Sequence, residues 1–416
     1  MPGLITERNF PTSWTIKRFK YCAQICNGGE YSDIEVEEGG YPVIGSGGEF
    51  ARASKFSYCG KSVLLGRKGT VDKPLFVDGA FWCVDTMFYT KIKDFVYEKY
   101  LYYCALCFPF DYYVTSTALP SMTQRDLGSQ EIAVPPKKEQ KAIADFLDKE
   151  CAQIDSIAAD LEKQIALLQQ YKKSLIAETV TKGLDNSVPM KDSGVEWIGE
   201  IPVGWELSRI KYLTDNHHPY PIGDGDHGMI KADDYLTEGI PYIRVLNLTW
   251  GSGLNLENLV FISKEMNSLI KNSELKPNDI LIAKTGATIG KTAIVPDSLP
   301  VSNTTSHVGK ITLANVHDAK YFYYVMTSSI VQKQIQDISA MQSTRPELGI
   351  EGLKNLILTV PPFDIQQHIA RFLDDHCAKI DRVLHEKGKQ LSVIKQHKKS
   401  LIYEYVTGKK RVKEVR

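Results

Sequence analysis

The residues of this chain best suited by type to chemistry lie in ILIAKTGATIGKTAIV, residues 280–295, where closely spaced glycines end in Gly290-Lys291-Thr292. A phosphate-binding loop reads G-x-x-x-x-G-K-[ST]: backbone N–H groups cradle the phosphates, the lysine reaches them and the hydroxyl holds a metal ion. Here only three residues separate Gly286 from Gly290, and Thr285 stands where the first glycine belongs. The loop is one residue too short to wrap a phosphate. A related stretch, LLGRKGTVDKP from Leu64, keeps Gly69 but has no Gly-Lys-Thr. The pattern therefore predicts strand–turn–strand elements whose glycines permit tight turns and close backbone approach. The cations Arg67, Lys68, Lys284 and Lys291 are expected on these turns. A P-loop NTPase is the enzyme alternative, and it requires ATP binding that depends on Lys291.

Other chemistry is sparse. VPPF at Val360 is similar to the adenine-methyltransferase motif, but that motif begins with Asp or Asn, and valine cannot accept a hydrogen bond from an amino group. The chain has no H-E-x-x-H and no G-x-S-x-G. His217, His218 and His227 lie near Asp224 and Asp226 in a glycine-rich loop, which reads as solvated or ligand-facing rather than metal-binding. Cys104 and Cys107 form a CxxC inside the apolar run YLYYCALC and read as core, because a structural zinc site needs a second close pair. No catalytic residue, metal or cofactor is expected in this chain.

These residues are carried by a chain of 416 residues, long enough for two to four domains, with 43% hydrophobic and 24% charged residues and no formal net charge. The balance argues against a surface coated in basic residues, although basic clefts offset by acidic surface remain compatible with it. No secretion signal and no membrane-length apolar run stand out, so a cytoplasmic, reduced protein is expected.

The chain is written twice. VPPKKEQKAIADFLDKECAQIDSI from Val134 aligns without a gap with VPPFDIQQHIARFLDDHCAKIDRV from Val360, an offset of 226 (360 − 134). The match continues through QQYKKSLIAETVT and KQHKKSLIYEYVT. Fainter repeats precede it: FPTSWTIKRFKY and IPVGWELSRIKY share Pro11/Pro202, Trp14/Trp205, Arg18/Arg209 and Lys20/Lys211, and KYLYY at Lys99 matches KYFYY at Lys320. In the strong repeat, apolar residues recur in steps of three and four at Ile143, Phe146, Leu147, Ile154, Ile157, Leu161, Leu168 and Leu175, then at Ile380, Val383, Leu391, Ile394 and Leu401. This stripe predicts long helices, each of about 40 residues and roughly 60 Å. Pro136 marks a start, and Gly183 and Gly408 mark the stops. Two such stripes are expected to pack on each other. If they run antiparallel, the chain gains an approximate two-fold axis with a globular domain at each end. The globular parts read as mixed α/β, and the Tyr-rich runs as helices with buried aromatic faces. The expected segments are a first globular domain over 1–135, helix over 136–183, linker and second globular domain over 184–361, and helix with a basic tail over 362–416.

The chain resembles the specificity subunits of type I restriction-modification systems. The resemblance is carried by GVEWIGEIPVGWELSRIKYL, by VPPxxxQxxIAxFLDxxCAxID at the start of each helix, by YKKSLIAETVTKGL and HKKSLIYEYVTGK at their ends, and by the domain order. It covers nearly the whole chain. It implies two target-recognition domains held apart by an antiparallel coiled coil, DNA recognition without catalysis, and a bipartite asymmetric target read in the major groove. It also implies two methyltransferase subunits that use S-adenosylmethionine and two translocase/nuclease subunits that use ATP and Mg, as part of a bacterial or archaeal defence system. In such domains the DNA face is built from loops between short strands. By position this selects Gly45, Ser46 and Gly47; Arg244 and Asn247, whose side chains can pair bidentately with guanine and adenine; the turn cations Arg67, Lys68, Lys284 and Lys291; and Ser116, Thr117, Gln124, Arg125 and Arg345. A stand-alone DNA-binding or scaffold protein without methyltransferase partners is the alternative from outside enzymology.

Overall fold

The computed structural model describes residues 11–113, 120–251, 253–340 and 346–412. The chain divides into two compact units, residues 1–163 with 387–416 and residues 164–386.

The first unit contains β1 (Thr15–Arg18), α1 (Phe19–Cys22), β2 (Ala23–Asn27), β3 (Tyr41–Gly45), β4 (Gly48–Ala53), β5 (Tyr58–Cys59), β6 (Ser62–Gly66), β7 (Leu75–Val77), β8 (Ala80–Cys83), β9 (Met87–Ile92), α2 (Glu98–Ala105), α3 (Phe110–Tyr113), α4 (Gln124–Ser129) and β10 (Glu131–Val134). Helix α5 (Lys137–Lys182) begins in this unit and ends in the second. The strands form two four-stranded sheets, ordered β2-β9-β6-β7 and β4-β3-β8-β5, and a β1-β10 ribbon. Strand β6, SVLLG, is buried along its whole length, as an unbroken apolar run in a central strand should be.

The second unit contains β11 (Met190–Asp192), β12 (Glu200–Pro202), β13 (Glu206–Arg209), β14 (Ile222–Asp224), β15 (Ile240–Ile243), β16 (Val260–Ile262), α6 (Lys264–Leu269), β17 (Ile280–Ala283), β18 (Thr292–Ile294), β19 (Asn303–Thr304), β20 (Val308–Ile311), α7 (Ala319–Thr327), α8 (Ser329–Ala340), α9 (Ile350–Lys354) and β21 (Ile357–Val360). Helix α10 (Phe363–Val406) begins here and ends in the first unit. The sheet order β14-β20-β17-β18 and the ribbon β13-β21 repeat the pairing of the first unit, and the parallel pair β15-β19 matches β3-β8. The fold is mixed α/β with repeated domains.

The Tyr-rich segments are helices α2 and α7, and their aromatic faces are buried: Tyr100, Leu101 and Tyr103 in one, Tyr321, Phe322 and Tyr324 in the other. Cys104 lies in the same core, and burial pushes the Cys107 thiol up to about 12, so the CxxC is packing rather than reactive sulfur.

Helix α5 has 46 residues and α10 has 44; at 1.5 Å per residue these are roughly 69 and 66 Å long. The Pro136 carbonyl accepts the first helical hydrogen bonds, from Glu139 and Gln140. Gly183 and Gly408 adopt φ of 78° and 73° past the helix ends, and a Cβ on either would stand 3.2 Å from a Trp ring, Trp205 or Trp14.

Each unit anchors the start of one long helix and the end of the other by the same bonds. In the first, the Tyr100 hydroxyl donates to the carbonyls of Ala133 (2.7 Å) and Val406 (3.1 Å). In the second, the Tyr321 hydroxyl donates to those of Thr359 (3.2 Å) and Val180 (3.4 Å). Tyr103 and Tyr324 each donate to an aspartate 2.8 Å away, Asp148 and Asp374. Lys398 pairs with Asp155, and Lys172 with Asp381, both at 2.6 Å.

Two apolar stripe residues depart from expectation. Ile157 is 51% exposed and Val383 42%. The buried and half-buried positions run 154, 158, 161, 165, 168 on α5 and 377, 380, 384, 387, 391, 394 on α10, alternating steps of four and three. After Ile154 and Ile380 the step is four, to Ala158 and Leu384, which leaves Ile157 and Val383 outside this row. Ile143, Leu147, Leu161, Ile380 and Leu401 are buried, and Phe146, Ile154, Leu168, Leu175, Leu391 and Ile394 are half-buried.

Candidate nucleic-acid interface

In the first unit, the turn after β6 presents Arg67 and Lys68, with Gly69 at φ 80°. The segment before α4 is stitched to this turn: Gly69 N–H donates to Pro120 O (2.8 Å) and Met122 N–H to Arg67 O (3.0 Å). Thr123 then caps α4 in a reciprocal bond with Asp126, which fixes Gln124 at the first helical position. The Gln124 amide donates to Asn27 Oδ1 at 3.0 Å. Asn27, Arg67, Lys68, Phe88, Thr123 and Gln124 are among the residues that line a cavity of about 430 Å³. Arg67 is half-buried, its guanidinium 5.8 Å from the Phe88 ring centroid and bonded to Asp85 O (3.2 Å), while Lys68 and Arg125 are exposed. The structure thus gathers Arg67, Lys68 and Gln124 into one cationic, amide-lined cleft suited to an anionic, hydrogen-bonding ligand. Asn27 is not among the candidates the sequence selects. No local motif marks it, and it enters only through the β2–β9 ladder, opposite Phe88.

The β3–β4 turn carries Ser46, half-buried, and Gly47, exposed. Gly45 is not on the exposed turn: it ends β3, is buried, and a Cβ there would meet the Phe50 ring at 3.0 Å. Ser116, Thr117 and Arg345 lie outside the described residues.

The second unit builds the matching turn differently. The segment 285–347 is bridged as 68–121 is, with Thr285 opposite Glu347, and Gly286 adopts φ 67°. Lys284, however, does not stand on the turn. It is 3% exposed, and its ammonium lies 2.5 Å from Asp224 Oδ2. Asp224 sits on β14 opposite Gly309, whose missing side chain leaves room for the lysine stem, 3.3 Å from where a Cβ would be. A buried lysine held by one carboxylate is structural.

The glycine-rich stretch is β17, a 3-10 turn over residues 286–288 and β18. A phosphate-binding loop must open a helix, whereas Thr292 opens a strand. The N–H groups of Gly290 and Lys291 are already donated to Ala283 O and Thr288 O, at 3.0 and 3.1 Å. The P-loop alternative is overturned by this geometry. Lys291 remains half-buried at the end of the turn.

Asn247 is also not poised to read a base. It is 2% exposed, accepts from Arg244 N–H (2.9 Å) and donates to Asn255 O (3.0 Å), so its amide pins the loop from within. Arg244 is half-buried, 5.5 Å from the Tyr235 ring centroid, with one nitrogen on Asn258 O. In the histidine loop, Asp226 accepts from the Tyr242 hydroxyl at 2.8 Å and from the N–H groups of Gly228 and Ile230. Burial raises its pKa, but the Ile230 N–H, the Tyr242 hydroxyl and the Ser306 N–H more than offset this and leave it below the ordinary value. Among the described residues no group of three or more His, Cys, Asp or Glu could hold a metal, and no helix is long and apolar enough to cross a membrane.

Comparison with known proteins fits this arrangement of two divergent domains on repeated helices. The model of the type I restriction modification DNA specificity domain matches residues 11–167 and again 221–392. The chain is 25% identical over 349 residues to the type I restriction enzyme EcoBI specificity subunit of Escherichia coli, covering 80% of this chain and 72% of that protein. It is 25% identical over 303 residues to the MjaVIII specificity subunit of Methanocaldococcus jannaschii, covering 72% and 66%. A chain solved in work on complex assembly and conformational transition of the type I R-M system shares the fold, with a TM-score of 0.69 at 12% identity, over 97% of this chain and 100% of that one. Matched twice by one domain model and along most of its length by specificity subunits, the chain belongs to the type I restriction-modification DNA specificity family, whose members are the non-catalytic, DNA-recognising subunits.

Proposed function

We propose that each globular domain reads one half of a bipartite, asymmetric duplex target, and that the two long helices, as an antiparallel coiled coil, set the unread gap between the halves. On this reading residues 1–135 and 184–361 are the target-recognition domains, and 136–183 and 362–416 are the shared helical regions of a pseudo-two-fold chain. The observation that carries the reading is the duplicated anchoring of the helices by Tyr100 and Tyr321, Tyr103 and Tyr324, beside turns that have diverged. Equal helices suit two equal partners, and unequal turns suit two unequal half-sites. The partners proposed are two adenine-N6 methyltransferase subunits using S-adenosylmethionine, joined by two ATP- and Mg-dependent translocase/nuclease subunits, in the cytoplasm. Arg67, Lys68, Gln124 and Arg125 in the first domain, and Arg244 and Lys291 in the second, are the DNA-facing side chains the geometry favours, with Ser46 and Gly47 on the neighbouring hairpin.

Co-expression with the methyltransferase subunit tests this assembly. A purified complex with two methyltransferase chains per specificity chain is expected, and a chain that purifies alone and binds DNA unaided contradicts it.

A further inference from the structure

We infer that the Arg-x-Lys-Tyr sequences at the ends of β1 and β13, Arg18 to Tyr21 and Arg209 to Tyr212, grip the sugar–phosphate backbone of duplex DNA without regard to base sequence. This rests on the DNA-recognition role proposed above. The second residue of each set anchors it: Phe19 is 0% and Ile210 1% exposed. The tyrosines do the opposite, with Tyr21 53% and Tyr212 71% exposed. In each copy the lysine ammonium lies over the tyrosine ring, 5.1 Å from its centroid in the first and 5.2 Å in the second. Neither copy needs this arrangement for its core, yet both keep it.

Among the described residues no carboxylate comes within ion-pair distance of Arg18, Lys20, Arg209 or Lys211, although Glu131 faces Arg18 across the β1–β10 ladder. In the second unit Arg209 and Lys211 converge on one neutral oxygen, Asn355 Oδ1, at 3.3 and 3.1 Å. The Asn355 amide nitrogen is turned away to the carbonyl and carboxylate of Glu351. Two cations brought to one point repel each other, and an anion bound between them relieves that repulsion.

The surroundings select the ligand. Helix α1 packs on α4, whose far end carries Gln124 of the cleft, and α9 packs likewise on the turn that holds Lys211. The six residues of α4 span roughly 9 Å, a distance over which each strand of a duplex presents two or three phosphates at about 3.4 Å spacing along the axis. The two copies share these residues while the turns beside them differ. Two half-sites share only their backbone, which positions a protein but carries no sequence.

The test uses the full chain purified with its methyltransferase partners, the double variants R18Q/K20Q and R209Q/K211Q, and duplexes with and without the methylated motif. Salt titration is expected to give a log K–log salt slope shallower by about 0.9 for each phosphate that the variant no longer neutralises. Affinity for both duplexes should fall by the same factor, the methylated motif should not change, and R209K/K211R should keep the wild-type slope. An unchanged slope overturns the inference, as does weakening confined to the motif duplex, which would mark base readers. Loss of the methyltransferase chains at unchanged slope overturns it too, by making the patch a protein-docking surface. A wild-type complex that prefers no duplex sequence overturns the recognition role itself.

Discussion

At the scale of single residues, one turn has two fates. Arg67 and Lys284 occupy matching places after a central strand, and in sequence both are turn cations. What separates them is Asp224, 60 residues from Lys284, which draws that lysine inside. Asn27 fills the corresponding strand end in the first unit, and there the cleft stays open. Local sequence carries no sign of this, because the partner arrives through the β14–β20–β17 ladder; Asn247, by contrast, is pinned by partners only three and eight residues away. Asp224→Asn should leave a buried ammonium without its partner and lower the stability of the second unit by about 3–5 kcal/mol; urea denaturation followed within that unit measures it, and no change would mean the pair is incidental. Asp226 makes a second prediction. A carboxylate whose folded pKa is depressed contributes stability that is present above its unfolded pKa, near 3.9, and lost as pH falls through the folded value. The stability difference between the wild type and Asp226→Asn should therefore be full at neutral pH and shrink below about pH 4. A difference that does not vary with pH would place the effect elsewhere. Isothermal titration should show no ATP binding to the isolated chain, since the amides of Gly290 and Lys291 are spent on the turn; binding abolished by Lys291→Ala would reinstate a nucleotide site.

At the scale of elements, the long helices were legible because two independent signals agreed, the three–four spacing and the repeat. Their ends were legible because a proline and a positive-φ glycine are hard to use otherwise. The face was less so. A step of three and a step of four are both on a helix's near side, so Ile157 and Ala158 compete for the buried row, and only the alternation over several turns decides for Ala158. Replacement by alanine should separate the two sets. Leu147→Ala, at a position 0% exposed, should cost about 2–5 kcal/mol. Ile157→Ala should fall within about 0.5 kcal/mol. Equal losses in thermal unfolding would contradict the burial assigned to the two positions. The strand–turn–strand elements around β6 and β17 were legible in the sequence, but the order of the strands was not, because pairing is decided by ladders that no single run encodes.

At the scale of the whole molecule, the chain carries two divergent copies of one strand-and-helix pattern, and the proposed function rests on that duplication. On the proposed reading, shared parts serve shared partners, and unshared parts serve two different half-sites. Replacing residues 1–135 with the corresponding segment of another specificity subunit should change one half of the target and leave the other half and the gap as they were. The most direct measurement is genome-wide mapping of N6-methyladenine in cells that carry this chain with its methyltransferase. A single bipartite motif is expected, with two different halves at a fixed separation and one modified adenine in each half, on opposite strands. A continuous palindrome, or methylation that does not depend on this chain, would contradict the account.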